Sequence, residues 1–213
     1  MSFRNDQVSE GETDKIMELA RGCLEVPGDF VEFGCYKGDT SLLLTELIVE
    51  KSVDKGVDSL GKSGGKGVEK CEDGKSLDSA KKLWIYDSFE GLPEKTAMDE
   101  SVLGVDFKGG ELFVTKREVK QRFLRAGLPV PVIKKAWFKD LTSSDLPVKI
   151  AFAFLDGDFY ESIRDSLKLV VPRMSDGGVI IVHDYTNPAL PGVKKAVDEW
   201  KQNKKIGFKL VLL

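Results

Sequence analysis

Four short apolar runs in this chain each end in a turn that carries a carboxylate. They span residues 29–34, 83–87, 151–158 and 178–184. Segments with helical periodicity alternate with these runs, which predicts an α/β fold with a mostly parallel, twisted sheet and helices on both faces. Ligands of such sheets bind in the crevice outside the carboxyl ends of the strands. The pattern therefore predicts an acidic crevice suited to a cation, a ribose or both.

Composition narrows the class of protein. The 213 residues, 41% of them hydrophobic, suffice for one α/β domain over residues 1–213. A formal charge of −3 without a basic stripe predicts no nucleic-acid partner. No apolar run reaches the length of a bilayer span and no apolar signal core begins the sequence, so no membrane association is expected. Three cysteines without metal-ligand spacing favour reduced thiols and a cytoplasmic location, whereas assembly into a homo-oligomer stays open.

Residues 51–82 differ in composition from the rest of the chain. They contain eight lysines, six glycines and five serines and lack aromatic residues. A segment of this composition cannot bury a core. We interpret it as a flexible surface insertion within the single domain.

Periodicity and turn signals predict five helices and six strands. The helices are expected at about 13–24, 40–49, 115–126, 160–170 and 191–202. The strands are expected at 30–33, 83–86, 132–135, 150–155, 178–182 and 208–212. The helix from residue 115 begins with Thr115-Lys-Arg-Glu118, which is typical of a capping box.

A glycine-rich turn, from Glu32 to Ser41, separates the first strand from the following helix. Its glycines let the backbone approach a ligand, and the helix N-terminus offers unpaired N–H groups. The spacing of Gly34 and Gly38 is neither a dinucleotide fingerprint nor a phosphate loop, which argues against NAD and ATP. Glu32 would orient the turn or bind an ammonium group. The same sequence is also compatible with a tight turn that binds no ligand.

Asp87 ends the second strand, where doubly wound folds place the acid that binds ribose hydroxyls. Gly38 and Asp87 are farther apart in the sequence than the usual spacing of about 20 residues. Subtracting the insertion removes this difference. A helix N-cap role for Asp87 is compatible with ribose binding.

Asp156, Asp158, His183 and Asp184 form the sharpest constellation of polar residues. Asp156 and Asp184 end strands separated by one helix, and a right-handed crossover brings such strands close together. Carboxylate oxygens and one imidazole suit Mg²⁺, Mn²⁺ or a similar ion. His183 is the only histidine of the chain and is either a ligand or a structural residue.

Five motifs in this sequence, taken in order, resemble the macrocin O-methyltransferase family. They are residues 31–40, 86–93, 136–140, 155–162 and 183–185. The resemblance extends from about residue 28 to residue 200, interrupted by the insertion. It implies a class I, Rossmann-like S-adenosylmethionine (SAM) fold with strand order 3-2-1-4-5-7-6, and Mg²⁺-dependent methylation of a hydroxyl.

The resemblance also implies roles for individual residues. Asp156, His183 and Asp184 fall on the metal positions, and Asp158 falls on the position of the general base. The family carries Asp-Asp-Tyr where this chain has His183-Asp184-Tyr185, and its fold closes with a further antiparallel strand. Trp137 would lie near the adenine of SAM. The full set of implied cofactor residues is Glu32, Gly34, Tyr36, Gly38, Thr40, Ser41, Asp87, Ser88, Trp137 and Asp156.

We therefore expect a SAM-dependent O-methyltransferase that acts on a hydroxylated small molecule, sugar-like or otherwise, with the help of a divalent cation. One alternative is a SAM-binding module with weak or no catalysis. A second is a phosphatase of the haloacid-dehalogenase type, which uses an Asp-x-Asp pair like Asp156 and Asp158. That fold places the pair near its start, so the position in this chain disfavours a phosphatase.

Overall fold

The computed structural model describes residues 7–54, 81–103, 107–201 and 207–213. Its centre is a six-stranded sheet. The strands are β1 (Asp29–Phe33), β2 (Leu83–Asp87), β3 (Val132–Lys135), β4 (Ile150–Leu155), β5 (Met174–Val182) and β6 (Lys209–Leu212).

Helices connect the strands. The α-helices are α1 (Glu10–Gly22), α2 (Asp39–Asp54), α3 (Lys116–Ala126), α4 (Tyr160–Val170) and α5 (Pro191–Lys201). Short 3₁₀-helices lie at Ala97–Asp99, Phe138–Asp140, Ser143–Asp145 and Val171–Arg173. Among the helices of the described residues, none has both the length and the apolar character needed to cross a bilayer.

The strand order is β3-β2-β1-β4-β5-β6, and every neighbouring pair is parallel. The predicted α/β fold is thus confirmed, with the reversal of strand order between β1 and β4. The predicted order 3-2-1-4-5-7-6 differs at one edge. There β6 pairs directly with β5, and the N–H of Leu213 donates to the carbonyl of Val182 at 3.0 Å. Because the β5 edge is occupied by β6, no antiparallel strand separates the two in the described residues.

The hydrophobic core has two halves, one on each face of the sheet. All residues of β4 are buried, as expected for a parallel strand covered on both sides. On one face, α1, α2 and α3 pack their apolar sides, with Phe123 of α3 fully buried. On the other face, α4 and α5 supply residues such as Leu167 and Val193. Helices on both faces agree with the prediction.

Two helix boundaries differ from the predicted ones for identifiable reasons. Helix α1 begins at Glu10 because Ser9 and Glu12 form a reciprocal capping box. Helix α2 extends to Asp54, and its buried Ser52 hydroxyl donates to the carbonyl of Ile48 at 2.9 Å. The first residues of the proposed insertion are therefore helical. Most of the insertion lies outside the described residues, so its flexibility stays a prediction.

A buried carboxylate anchors the connection between β2 and α3. Asp99 accepts a hydrogen bond from the backbone N–H of Tyr160, the first residue of α4, at 2.6 Å. Its other oxygen accepts from the backbone and hydroxyl of Thr96. The N-cap residue of α4, Phe159, makes no side-chain cap of its own. A residue from a distant segment thus caps this helix.

We predict that Gly192→Ala destabilises the protein by about 1–3 kcal/mol, because a Cβ at Gly192 would lie 1.9 Å from the Asp99 carboxylate. Urea unfolding measures the change. Gly11→Ala is the matched control, since Gly11 is also helical but has open space around it, and it should leave stability unchanged or raise it by up to about 1 kcal/mol. Equal effects of the two substitutions would show that Asp99 does not fix this contact.

Candidate functional site

Backbone hydrogen bonds continue the sheet beyond the ends of its central strands. In each, the first residue after a strand donates to the neighbouring strand. The bonds are Gly34 to Tyr86 at 2.9 Å, Asp156 to Phe33 at 2.9 Å, and His183 to Leu155 at 3.0 Å. The turns that follow β1, β4 and β5 are consequently held at one level, at the carboxyl edge of the sheet.

The turns after β1 and β4 touch at Gly34. A Cβ at this position would lie 1.9 Å from the carbonyl oxygen of Asp156, and the φ angle of Gly34 is +86°. Both the close approach and the left-handed backbone require glycine.

A crevice of about 890 Å³, including the space open to solvent, lies at this edge. Ten of the predicted site residues line it: Glu32, Gly34, Tyr36, Asp87, Ser88, Trp137, Asp156, Asp158, His183 and Asp184. Three predicted residues do not. Gly38 faces Val119 of α3, while Thr40 and Ser41 are buried in the first turn of α2.

Sequence reasoning missed other residues of the crevice wall. They are Gln7, Val8, Cys35, Lys37, Asp39, Gly91, Leu92, Pro93, Leu112, Phe138, Gly157 and Ser162. It also missed Arg122 of α3, which donates to the carbonyl of Lys37 at 2.7 Å and pairs with Asp39. Residues 7 and 8 reach the site only through the tertiary packing of α1, which no local pattern signals.

Glu32 lies at the floor of the crevice and is almost completely buried. Its carboxylate accepts a hydrogen bond from the hydroxyl of Ser41. Burial raises the pKa of Glu32 to about 8, and the nearby charges of Asp156 and Asp87 act in the same direction against the effect of Ser41. A positive ligand group would favour its ionised form.

Asp87 fastens the glycine-rich turn to the second strand. One carboxylate oxygen accepts the N–H of Cys35 at 2.9 Å, and the other accepts the N–H of Phe89 at 2.7 Å. Each oxygen has a second lone pair, so the carboxylate retains capacity for a ligand hydroxyl.

Asp156, His183 and Asp184 converge on one side of the crevice. The Nδ1 atom of His183 lies 3.1 Å from Asp156 Oδ1 and 2.8 Å from Asp184 Oδ2. One donor atom from each of the three residues lies within 4.8 Å of the others. Adjacent ligand atoms of an octahedral ion with bonds of 2.0–2.1 Å are about 3 Å apart. Donor chemistry and spacing therefore fit a divalent cation.

The same cluster is strongly coupled electrostatically. Burial alone would lower the pKa of His183, but the hydrogen bonds and negative charges of Asp156 and Asp184 raise it to about 11. Burial likewise opposes the ionisation of Asp184, yet its hydrogen bond and attraction to His183 lower its pKa overall. An imidazolium thus compensates part of the negative charge, and a metal ion would have to displace its proton.

Asp158 lies beside this cluster. Loss of hydration, followed by the charges of Asp156 and Asp184, raises its pKa well above the usual range. Within the described residues its carboxylate accepts no hydrogen bond, so its lone pairs are available to a ligand.

Four crevice residues have a left-handed backbone although they are not glycine. The φ angles are +43° at Tyr36, +59° at Leu112, +60° at Asp158 and +60° at Asp184. Such conformations cost free energy and concentrate at functional sites. Their presence at this edge supports a functional role for the crevice.

The arrangement of strands and helices is that of the α/β methyltransferase fold. The O-methyltransferase NovP superposes with a TM-score of 0.69 at 26% identity, over 89% of this chain and 70% of NovP. The calicheamicin methyltransferase CalS11 has the same fold, with a TM-score of 0.64 at 18% identity, over 92% of this chain and 72% of CalS11.

Residues 73–212 match the macrocin O-methyltransferase (TylF) family. The chain belongs to this family, as its motifs predicted. Its relatives include 8-demethyl-8-(2,3-dimethoxy-alpha-L-rhamnosyl)-tetracenomycin-C 4'-O-methyltransferase of Streptomyces olivaceus, 30% identical over 83% of this chain. Demethyldecarbamoylnovobiocin O-methyltransferase of Streptomyces niveus is 28% identical over 93% of this chain. Mycinamicin III 3''-O-methyltransferase of Micromonospora griseorubida is 26% identical over 87%.

The chain is shorter than these relatives. It spans 59% of the tetracenomycin enzyme, 70% of the novobiocin enzyme and 65% of the mycinamicin enzyme.

We predict that Glu32→Gln flattens the pH dependence of stability between pH 5 and pH 8. The pKa of about 8 in the folded protein exceeds the ordinary value of 4.5, so the stability contributed by Glu32 is fully present below pH 4.5 and is lost as the pH rises through 8. The substituted protein should therefore gain stability relative to the original as the pH rises.

Urea unfolding without ligand measures this difference. The control is Glu50→Gln on the exposed side of α2, which should leave the pH dependence unchanged. Parallel pH profiles for the original protein and Glu32→Gln would show that Glu32 titrates normally.

Proposed function

We propose that this protein is a SAM-dependent O-methyltransferase that methylates a hydroxyl of a small molecule with the help of a divalent cation. The observation that carries the proposal is the acidic crevice at the carboxyl ends of β1, β2, β4 and β5. Family membership supports methyl transfer as its chemistry. It also argues against the phosphatase alternative.

The charge of the crevice suits SAM. Six carboxylates line it, against one lysine and His183. SAM carries a positive sulfonium and a positive ammonium group, so complementary charge favours its binding. We assign the methionine portion to Glu32 and the glycine turn, the ribose to Asp87 and Ser88, and the adenine side to Trp137.

Asp156, His183 and Asp184 are the residues that would hold the cation, with Mg²⁺ or Mn²⁺ as candidates. A divalent cation supplies Lewis acidity, which lowers the pKa of a hydroxyl bound to it. The three side chains contribute the donor atoms and leave coordination positions for oxygens of the acceptor.

Asp158 is the proposed general base. Its carboxylate would take the proton of the acceptor hydroxyl, and bound SAM would supply the methyl group and be left as S-adenosylhomocysteine. A raised pKa makes this carboxylate a stronger base, and general-base catalysis typically contributes about 10²–10⁴-fold. The remaining walls would align the two reactants.

The names of the relatives support a proposal for the acceptor class. One names a rhamnosyl-tetracenomycin C methylated at the 4' oxygen, one names mycinamicin III methylated at the 3'' oxygen, and the third names demethyldecarbamoylnovobiocin. We therefore propose a sugar-like hydroxyl as the acceptor and no nucleic-acid or membrane partner. A protein that binds SAM but transfers no methyl group would instead be the binding module considered above.

We predict that SAM or S-adenosylhomocysteine binds much more tightly than NAD or ATP in calorimetric titrations. Asp87→Ala should weaken SAM binding by about 1.5–3 kcal/mol for each charge-assisted hydrogen bond lost. The exposed Asp176, at the opposite end of the sheet, provides the control Asp176→Ala, which should not change the affinity. Equal affinities for NAD and SAM would overturn the cofactor assignment.

Another prediction concerns the cation. Asp156→Asn should abolish metal-stimulated methyl transfer but spare SAM binding, whereas Asp158→Asn should retain the metal and lose rate, because an amide cannot take the proton. His183→Asp, which restores the family's usual residue, should keep or raise Mg²⁺ affinity. Calorimetry of Mg²⁺ and transfer of labelled methyl groups to a panel of hydroxylated metabolites measure these effects. Full activity in excess chelator would remove the metal from the proposal and leave the SAM fold intact.

A further inference from the structure

His183 has two ring nitrogens, and they face different carboxylates. Its Nδ1 atom lies between Asp156 and Asp184, at 3.1 and 2.8 Å. Its Nε2 atom lies 3.7 Å from Oε1 of Glu12, which belongs to the first turn of α1. The imidazole thus lies between the candidate metal site and the N-terminal helix.

Glu12 is fixed in this position by its own helix. Its Oε2 atom accepts hydrogen bonds from the backbone N–H and the hydroxyl of Ser9, at 3.0 and 2.6 Å. The capping box therefore uses one carboxylate oxygen and leaves Oε1 facing His183. The hydrogen bonds from the hydroxyl and backbone of Ser9 lower the pKa of Glu12 despite partial burial, and the positive charge of His183 adds a smaller effect in the same direction.

Helix α1 is packed at the crevice and does not merely pass near it. Val8, just before the helix, is buried and lines the crevice. Ile16 and Ala20, further along the helix, are buried in the core beneath it. The position of Glu12 is therefore held both by the capping box and by the apolar face of α1.

We propose that Glu12 is a positioning residue: its carboxylate, 3.7 Å from Nε2 of His183, favours the N–H on that nitrogen by its charge and so orients Nδ1 for metal binding. The inference rests on the cation of the proposed function and adds a residue from α1 to it. A histidine that binds metal usually directs its other ring N–H to a carboxylate, carbonyl or water, which fixes the tautomer and makes the ligand more basic. Metal affinity is thereby coupled to the docking of α1.

The test is a double-mutant cycle on the metal-stripped protein of residues 1–213, with Mn²⁺ as the probe and its electron paramagnetic resonance signal as the measure of free ion. Glu12→Ala should weaken Mn²⁺ binding about 10–100-fold. In the His183→Asp background, the same substitution should change the affinity by less than about threefold, since no imidazole is left to orient.

Ser9→Ala controls for the loss of the helix cap. It breaks the capping box but keeps the Glu12 carboxylate, and it should weaken Mn²⁺ binding less than Glu12→Ala does. If the Glu12 effect came from fraying of α1, Ser9→Ala would reproduce it and the effect would persist in the His183→Asp background. Either result would overturn the proposal.

The single histidine allows a direct spectroscopic reading. With ¹⁵N-labelled histidine and diamagnetic Zn²⁺, the two ring-nitrogen resonances belong to His183 alone, because the chain has one histidine. We expect the metal on Nδ1 and the proton on Nε2. Metal on Nε2 would overturn the inference while leaving the metal site in place. If Mn²⁺ and Zn²⁺ fail to bind the original protein at all, the metal part of the proposed function falls together with it.

Discussion

Three backbone hydrogen bonds that continue the sheet past its strands hold the candidate site together. They fix Gly34, Asp156 and His183 at one level, although the chain brings these residues from distant segments. Because the turns are aligned, the side chains of Asp156, His183 and Asp184 come into contact. The close contact of Gly34 with the Asp156 carbonyl follows from the same alignment and explains why only glycine fits there.

This alignment has an electrostatic cost. It crowds carboxylates into one crevice, where burial and mutual repulsion raise the pKa values of Glu32 and Asp158. The imidazolium of His183 relieves part of the repulsion at Asp156 and Asp184. A positively charged cofactor and a cation would relieve more of it, so the ligand-free protein is poised to be stabilised by the ligands we propose.

The sequence predicted the central strands well because they are largely buried and appear as mainly apolar runs, as in β4, whereas the edge strands β3 and β6 are more exposed. The convergence of Asp156 with His183 was also predictable, since one crossover helix makes their strands neighbours. The proximity of Glu12 was not, because it depends on how α1 packs on the sheet. The start of α1 was readable in principle, as Ser9 and Glu12 have capping-box spacing. The pairing of β6 with β5 could not be predicted from the local sequence, because the apolar pattern of a strand does not specify which strand lies beside it.

Asp99 has a consequence for how this scaffold can diversify. Its carboxylate joins the connection between β2 and α3 to the first residue of α4, directly after the turn that holds Asp158. The connection and the turn that contains Asp158 are therefore held together by this hydrogen bond. Changes that shift Asp99 would disturb the turn that contains Asp158. Val102 and Leu103 follow Asp99 in the connection, are exposed and take no part in this hydrogen bond. Substitutions in the exposed part of the connection can therefore accumulate while its anchor to α4 stays fixed.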